Sequence, residues 1–231
     1  MSNLQKEKSL QSGREWSFFY LKFKVSFFFL FVLTPQLPGC QDKYPVMTCD
    51  ANSGVSFDQT DVPVIGPTDS KVDLTVFGDF QCPYTHLFWQ DLEEYLQSIK
   101  DTPEEGKLSV HFRHFPLPGI HNRALEASTA GAAAYLQGNS YFWEMVPLLM
   151  TTGSKLTDDY LTYYAYFAGL DEDQFATDYS GEEAAALVAR DRNLGQSLNI
   201  QGTPAVYLCG QKISVSNDEI IDNLDYLLDK N

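Results

Sequence analysis

Along this chain the spacing of apolar and polar positions changes period several times, and each change marks an element. Val72 to Phe77 (VDLTVF) is a β-rich apolar run, and Tyr84 to Ile99 then carries Leu87, Phe88, Leu92, Tyr95, Leu96 and Ile99 at helical spacing. A strand therefore runs almost directly into a helix, with Gly78-Asp79-Phe80-Gln81-Cys82-Pro83 at the join. Leu108 to Phe115 (LSVHFRHF) alternates as a second strand, after a loop marked by Asp101-Thr102-Pro103 and Gly106. From about His121 to Leu198 the pattern is helical, with segments at 124–136, 141–150, 157–168 and 180–198, the last opened by Ser180-Gly181-Glu182-Glu183 read as a capping box. Beyond Gly202-Thr203-Pro204, Ala205 to Leu208 and Gln211 to Val215 read as hairpin strands around Cys209-Gly210. Ser216 to Glu219 reads as a second capping box, opening a helix that runs to Leu228.

The resulting order is strand, helix, strand, several helices, strand, strand, helix. This is an α/β pattern in which a β-α-β half and a β-β-α half share a mixed central sheet. It resembles the thioredoxin fold with a helical insertion, about 118–198, between the halves. The predicted domain covers 67–231.

The first residues follow a different logic. Basic positions up to Lys24 precede Val25 to Leu33 (VSFFFLFVL), and Thr34-Pro35-Gln36-Leu37-Pro38-Gly39-Cys40 follows: the order of a signal peptide, 1–39. The nine apolar residues are too few to span hydrocarbon as a helix, which takes about 20. Leu37-Pro38-Gly39-Cys40 resembles a bacterial lipobox, a resemblance that implies cleavage before Cys40 and lipidation of its sulfur. Residues 40–66 then read as a lipid-anchored tether with an N-terminal strand region, interrupted by Pro45, Asn52, Ser53, Gly54 and Pro63.

Charge narrows the class of partner. The chain carries −15 overall and the leader +3, which leaves −18 for the rest. A surface this acidic repels phosphate backbones and anionic headgroups, so nucleic acid is disfavoured and membrane contact is expected only through the lipid anchor. Glu93-Glu94, Asp158-Asp159 and Glu182-Glu183 read as capping or solvated charges on helices. His111 and His114, three apart on a strand, point to opposite faces, so they and His121 are not expected to hold a metal ion. Phe142, Trp143, Tyr163, Tyr164 and Tyr166 read most simply as core of the insertion, part of which would line a peptide groove, and Arg113 and His114 as strand-end packing and solvent contacts.

Cysteine carries the chemistry. With Cys40 committed to lipid, Cys49, Cys82 and Cys209 remain, an odd number for an oxidising compartment. Pro83 suits the first position of a helix, so Cys82 lies at a helix N-terminus, where unpaired N–H groups and the positive end of the helix dipole favour the thiolate. His86, one turn on, pushes the same way when protonated. Cys209 is five residues past Pro204, about 16 Å along a strand from the loop that faces Cys82. Cys49, on the tether, reaches either one: a Cys49–Cys209 bridge leaves Cys82 free, and a Cys49–Cys82 bridge is the alternative.

Phe80-Gln81-Cys82-Pro83-Tyr84-Thr85 resembles the F-x-C-P-x-C signature of DsbA-like thiol-disulfide oxidoreductases, and Gly202-Thr203-Pro204 that family's cis-proline loop. Arg113-His114-Phe115-Pro116-Leu117, Phe142-Trp143-Glu144-Met145 and Tyr207-Leu208-Cys209-Gly210 fall in step with the family as well. The resemblance covers roughly residues 70 to 230. It implies Cys82 as nucleophile, Thr85 and His86 as residues that tune its thiolate, and Pro83, Tyr84, Thr203 and Pro204 as the surface that presents substrate. Thr85 stands where the family has its second cysteine. A hydroxyl cannot attack the mixed disulfide; Thr85 is left to hydrogen-bond the Cys82 sulfur, and resolution falls to an external thiol. The expectation is periplasmic thiol-disulfide exchange through a single cysteine, as a monothiol reductase or isomerase, in a periplasm-facing bacterial lipoprotein. Its partners would be cysteine-containing exported proteins or a thiol reductant. No cofactor is expected beyond an external low-molecular-weight or protein thiol. A non-catalytic peptide-binding or chaperone-like scaffold is the other reading.

Overall fold

The computed structural model describes residues 47–50, 54–150, 155–213 and 217–230. The proposed signal peptide, the lipidation site Cys40 and Ser216 of the second capping box lie outside the described residues. Those described belong to one compact unit.

Five strands form one mixed sheet: β1 (Val64–Ile65), β2 (Val72–Gly78), β3 (Leu108–His114), β4 (Ala205–Leu208) and β5 (Gln211–Ile213), in the order β1-β3-β2-β4-β5. β2 and β3 are parallel, with Val76 opposite Phe112 and Gly78 opposite His114, and the other three pairs are antiparallel. The crossover between the parallel strands is α1 (Pro83–Ile99), with a short 3-10 turn at Glu105–Lys107. The insertion holds α2 (Ala124–Gln137), α3 (Asn139–Leu149), α4 (Asp158–Phe167), α5 (Glu172–Ser180) and α6 (Glu182–Ser197); α7 (Asn217–Lys230) closes the chain. This is the α/β arrangement expected, a thioredoxin-like mixed sheet with the helices inserted between its halves.

Both faces of the sheet are covered, which is why the central strands read as nearly continuous apolar runs. On one face Leu74, Val76, Val110 and Phe112 pack with α1 through Phe88, Trp89 and Leu92, and with α7 through Leu224, Leu227 and Leu228. Tyr95 of α1 donates to Asp225 of α7 at 2.8 Å, and burial together with that carboxylate pushes the Tyr95 phenol well above its ordinary range. On the other face Phe77, Phe115 and Tyr207 gather with Phe57 and with Leu194 and Leu198 at the end of α6. Within the insertion α2 is the central helix. Its buried side is Ala124, Ala127, Ser128, Ala130 and Gly131 onward, small enough for close approach of its neighbours.

Four expectations change. The described residues of the stretch read as a tether are packed: Met47 and Val62 are buried and Phe57 joins the second core, while β1, paired with β3, is the strand region expected there. Gly210 explains part of this. It sits at φ +73 after Cys209 at φ 49, the two left-handed positions of a tight hairpin turn, and accepts the Val55 N–H at 2.8 Å. A Cβ there would lie 2.2 Å from the Val55 carbonyl oxygen, so only glycine admits this strap. Second, Ser180 ends α5 and Gly181 is the N-cap of α6, without a side-chain cap; the helix Glu172–Ser180 has no apolar stripe strong enough to separate it beforehand. Third, Arg113 and His114 are not solvent contacts but are 1% and 2% exposed. The Arg113 guanidinium meets Asp191 of α6 at 2.8 Å and also donates to the Asp58 carbonyl and, at 3.1 Å, to Gln59. Fourth, Phe142 and Tyr164 are core residues as expected, whereas Tyr163 and Tyr166 are more than half exposed on α4.

Candidate functional site

The site lies where the parallel strands end. Gly78 closes β2, the chain turns through Asp79-Phe80-Gln81, and Cys82 becomes the N-cap of α1 at φ −77 and ψ 120, with Pro83 at the first helical position. The N–H of Cys82 donates to the Asp79 carbonyl at 3.0 Å, and the Cys82 carbonyl accepts the first helical hydrogen bond from His86 at 3.2 Å. This is the local outcome a strand–Cys–Pro–helix sequence dictates: proline has no N–H to lose there, and the following N–H groups of the first turn stay without helical partners.

The sulfur faces the other half of the fold. Cys82 Sγ donates to the Thr203 carbonyl at 3.2 Å, and the Thr203–Pro204 peptide is cis. Two segments separated by 121 residues thus meet at one thiol. Cys82 is 4% exposed, Thr203 and Pro204 are buried, and Pro83 and Tyr84 are exposed, Tyr84 at 70%. Leu87, Ile120 and Leu125 add further exposed apolar surface.

Two of the expected supporting contacts differ. Thr85 is fully buried on the inner side of α1, yet its Oγ1 has no hydrogen-bond partner among the described residues; it does not bond the Cys82 sulfur. His86 is occupied elsewhere, with Nε2 2.6 Å from the Phe80 carbonyl, so the ring braces the turn before the cysteine. The three remaining histidines are apart: His111 lies 3.1 Å from Asp73, His121 2.8 Å from Asp79, and His114 stands among Phe80, Phe112 and Phe142. Burial pushes the His114 imidazole down to about 4.

Cys49 and Cys209 are joined in a disulfide, with Cα atoms 5.0 Å apart, and Cys82 is the free cysteine among the described residues. Of the two pairings left open by the sequence, the structure has the one that spares Cys82. Sequence reasoning passed over Asp79 and Gln81, and it weighed His121 only as a metal ligand. Asp79 is fully buried three positions before Cys82 and is bound to a histidine 42 residues away, a pairing that no local pattern announces.

A mixed sheet with a cysteine capping the first helix, facing a cis-proline loop, defines a thioredoxin-type redox domain. The DSBA-like thioredoxin domain family matches residues 73–229, and the chain belongs to that family. Among curated relatives, a Na(+)/H(+) antiporter NhaA 1 of Mycolicibacterium gilvum is 32% identical over 151 residues, 64% of this chain. The chain spans only 23% of that antiporter's length. A probable disulfide bond formation protein D of Bacillus anthracis is 26% identical over 72% of this chain and 78% of its own. Among solved structures, oxidised BdbD of Bacillus subtilis superposes with a TM-score of 0.63 at 23% identity, covering 74% of this chain and 95% of that one. The thiol-disulfide exchange protein alpha-DsbA2 of Wolbachia pipientis gives 0.61 at 19% identity, covering 71% and 86%. At these identities the structural likeness establishes the fold. No helix among the described residues is long and apolar enough to cross a membrane.

Proposed function

We propose that this chain is a thiol-disulfide oxidoreductase of DsbA type that works through one thiol, Cys82, on cysteine-bearing polypeptides in the bacterial cell envelope, held there by a lipid on Cys40. The observation that carries the reading is the pairing of cysteines. Among the described residues Cys82 alone is a free cysteine; it caps α1 and faces the Thr203–Pro204 loop, while Thr85 stands where a second thiol would resolve the intermediate. The Cys82 thiolate attacks a substrate disulfide, one substrate sulfur leaves as thiolate, and the mixed disulfide persists until an external thiolate displaces Cys82. Pro83, Tyr84, Thr203 and Pro204 frame the substrate chain, with the exposed Tyr84 and Leu87 giving it apolar contact.

The test uses the full chain and a peptide carrying a small disulfide. A mixed disulfide at Cys82, identified by mass mapping, should accumulate and disappear when reduced thiol is added, and Cys82→Ala should form none. Thr85→Cys should release the peptide without added thiol, because it supplies the missing resolving group. Absence of any Cys82 adduct in the wild-type chain would overturn the reading.

The low exposure of Cys82 favours a second one, a peptide-binding scaffold that kept the fold and lost the chemistry. Peptide binding of equal affinity in wild type and Cys82→Ala, without an adduct in either, would select it.

A further inference from the structure

We propose that Asp79 and His121 act together as positioning residues, a clamp that holds the Cys82 turn against the Thr203 carbonyl; the proposal rests on the reading of Cys82 as the exchanging thiol. Asp79 is fully buried, and its carboxylate accepts three N–H donors: Gln81 N at 2.8 Å on Oδ1, and Leu117 N at 2.9 Å with His121 Nδ1 at 2.8 Å on Oδ2. Its own carbonyl takes the Cys82 N–H at 3.0 Å. Gln81 completes the seam. Its Nε2 donates to Asn122 Oδ1 at 3.1 Å and its Oε1 accepts from Arg123 N at 2.7 Å. One carboxylate and one amide thus sew the turn before Cys82 to the 117–123 loop, 38 to 42 residues further on.

The chemistry of the carboxylate is specific. Two of its donors are backbone N–H groups, one on each oxygen, and backbone donors cannot turn away. An amide of the same shape would aim its NH2 at one of them. A carboxylate only accepts, so the His121 proton sits on Nδ1. The His121 side chain is 16% exposed, which makes it the accessible half of the clamp.

A released turn frees Sγ from the Thr203 carbonyl. Cys82 then meets a small reagent more readily but a substrate chain less productively, an opposition that a loss of stability alone does not produce. The experiment is iodoacetamide labelling of Cys82 in the folded full chain, located by peptide mass mapping, beside mixed-disulfide formation with the disulfide peptide. Asp79→Asn and His121→Leu should label about tenfold faster, the factor that corresponds to about 1.4 kcal/mol, and form the mixed disulfide more slowly. His121→Asn, whose amide N–H replaces Nδ1–H, should behave as wild type. Equal labelling in wild type and His121→Leu, even with a lowered Tm, overturns the clamp, as does a His121→Asn chain that labels like His121→Leu. This pair decides the matter if Asp79→Asn does not fold. Should the labelling pattern appear while wild type forms no mixed disulfide, the clamp stands and the exchange reading falls.

Discussion

Thr85 stands where the two-thiol signature that this site resembles has its second cysteine, and its environment decides what a hydroxyl does there. The side chain is fully buried and its hydroxyl has no partner among the described residues. A desolvated hydroxyl without a hydrogen bond costs about 1–3 kcal/mol. Thr85→Val exchanges that hydroxyl for a methyl group in the same shape, so it should raise the unfolding free energy by about 1–2 kcal/mol. It should leave Cys82 labelling unchanged, because the structure has no Thr85–Cys82 bond to lose. Urea titration with mass-resolved labelling checks both; a slower or faster Cys82 would mean that the hydroxyl serves the sulfur during reaction. The placement of Cys82 itself was legible in the sequence, since a cysteine before proline at a strand–helix join has few other local structures open to it. The contacts of Thr85 were not, because a hydroxyl one turn away on a helix face has the spacing for a hydrogen bond whether or not its rotamer makes one.

At the scale of elements, periodicity located nearly all of the strands and helices, with β2, β3 and α1 within a residue or so of their observed bounds. It failed where stability comes from contacts distant in sequence. The 47–66 stretch has too many turn residues to show a period, yet its described residues 47–50 and 54–66 are held by the Cys49–Cys209 disulfide, by the strap at Gly210 and by Arg113, whose guanidinium holds Asp58 and Gln59 while paired with Asp191. Arg113 and Asp191 are 78 residues apart and both 1% exposed, so nothing local predicts their union. Removing one partner strands a buried charge, and Asp191→Ala should therefore cost about 3–5 kcal/mol in urea unfolding. The N–H of His114 would lose its acceptor at Asp191 Oδ2 as well. A loss under about 1 kcal/mol would indicate that Arg113 finds water or another carboxylate. The disulfide closes a loop of 160 residues, and the Cys49→Ala, Cys209→Ala double variant should lose about 2–5 kcal/mol by constraint of the unfolded chain.

For the molecule as a whole, the buried imidazole of His114 ties stability to pH in the range just below neutrality. Burial is the main cause of its depressed value, about 4 against an ordinary 6.5, and the Asp191 charge offsets only part of that penalty. The unfolded chain takes up a proton as pH falls through about 6.5, while the folded chain resists until about 4. Stability from this group is therefore complete above the unfolded value and is lost as pH falls from about 6.5 toward 4. Between pH 7.5 and 4.5 the loss should be about 2–3 kcal/mol. Asp58 and Asp158, both held below the ordinary carboxylate range, do not enter this window: Asp58 is lowered by its bonds to Thr60, and Asp158 chiefly by its bond to Arg123. His114→Phe places a ring that does not titrate among Phe80, Phe112 and Phe142. Crowding beside Gly131, where space is already tight, shifts its absolute stability by an offset that is the same at every pH and leaves the slope as the readout. Urea unfolding of both chains across pH 4.5 to 7.5 should give a slope in wild type that His114→Phe flattens. Parallel slopes in the two would move the acid sensitivity to another group and would mean that His114 is protonated without opening the core.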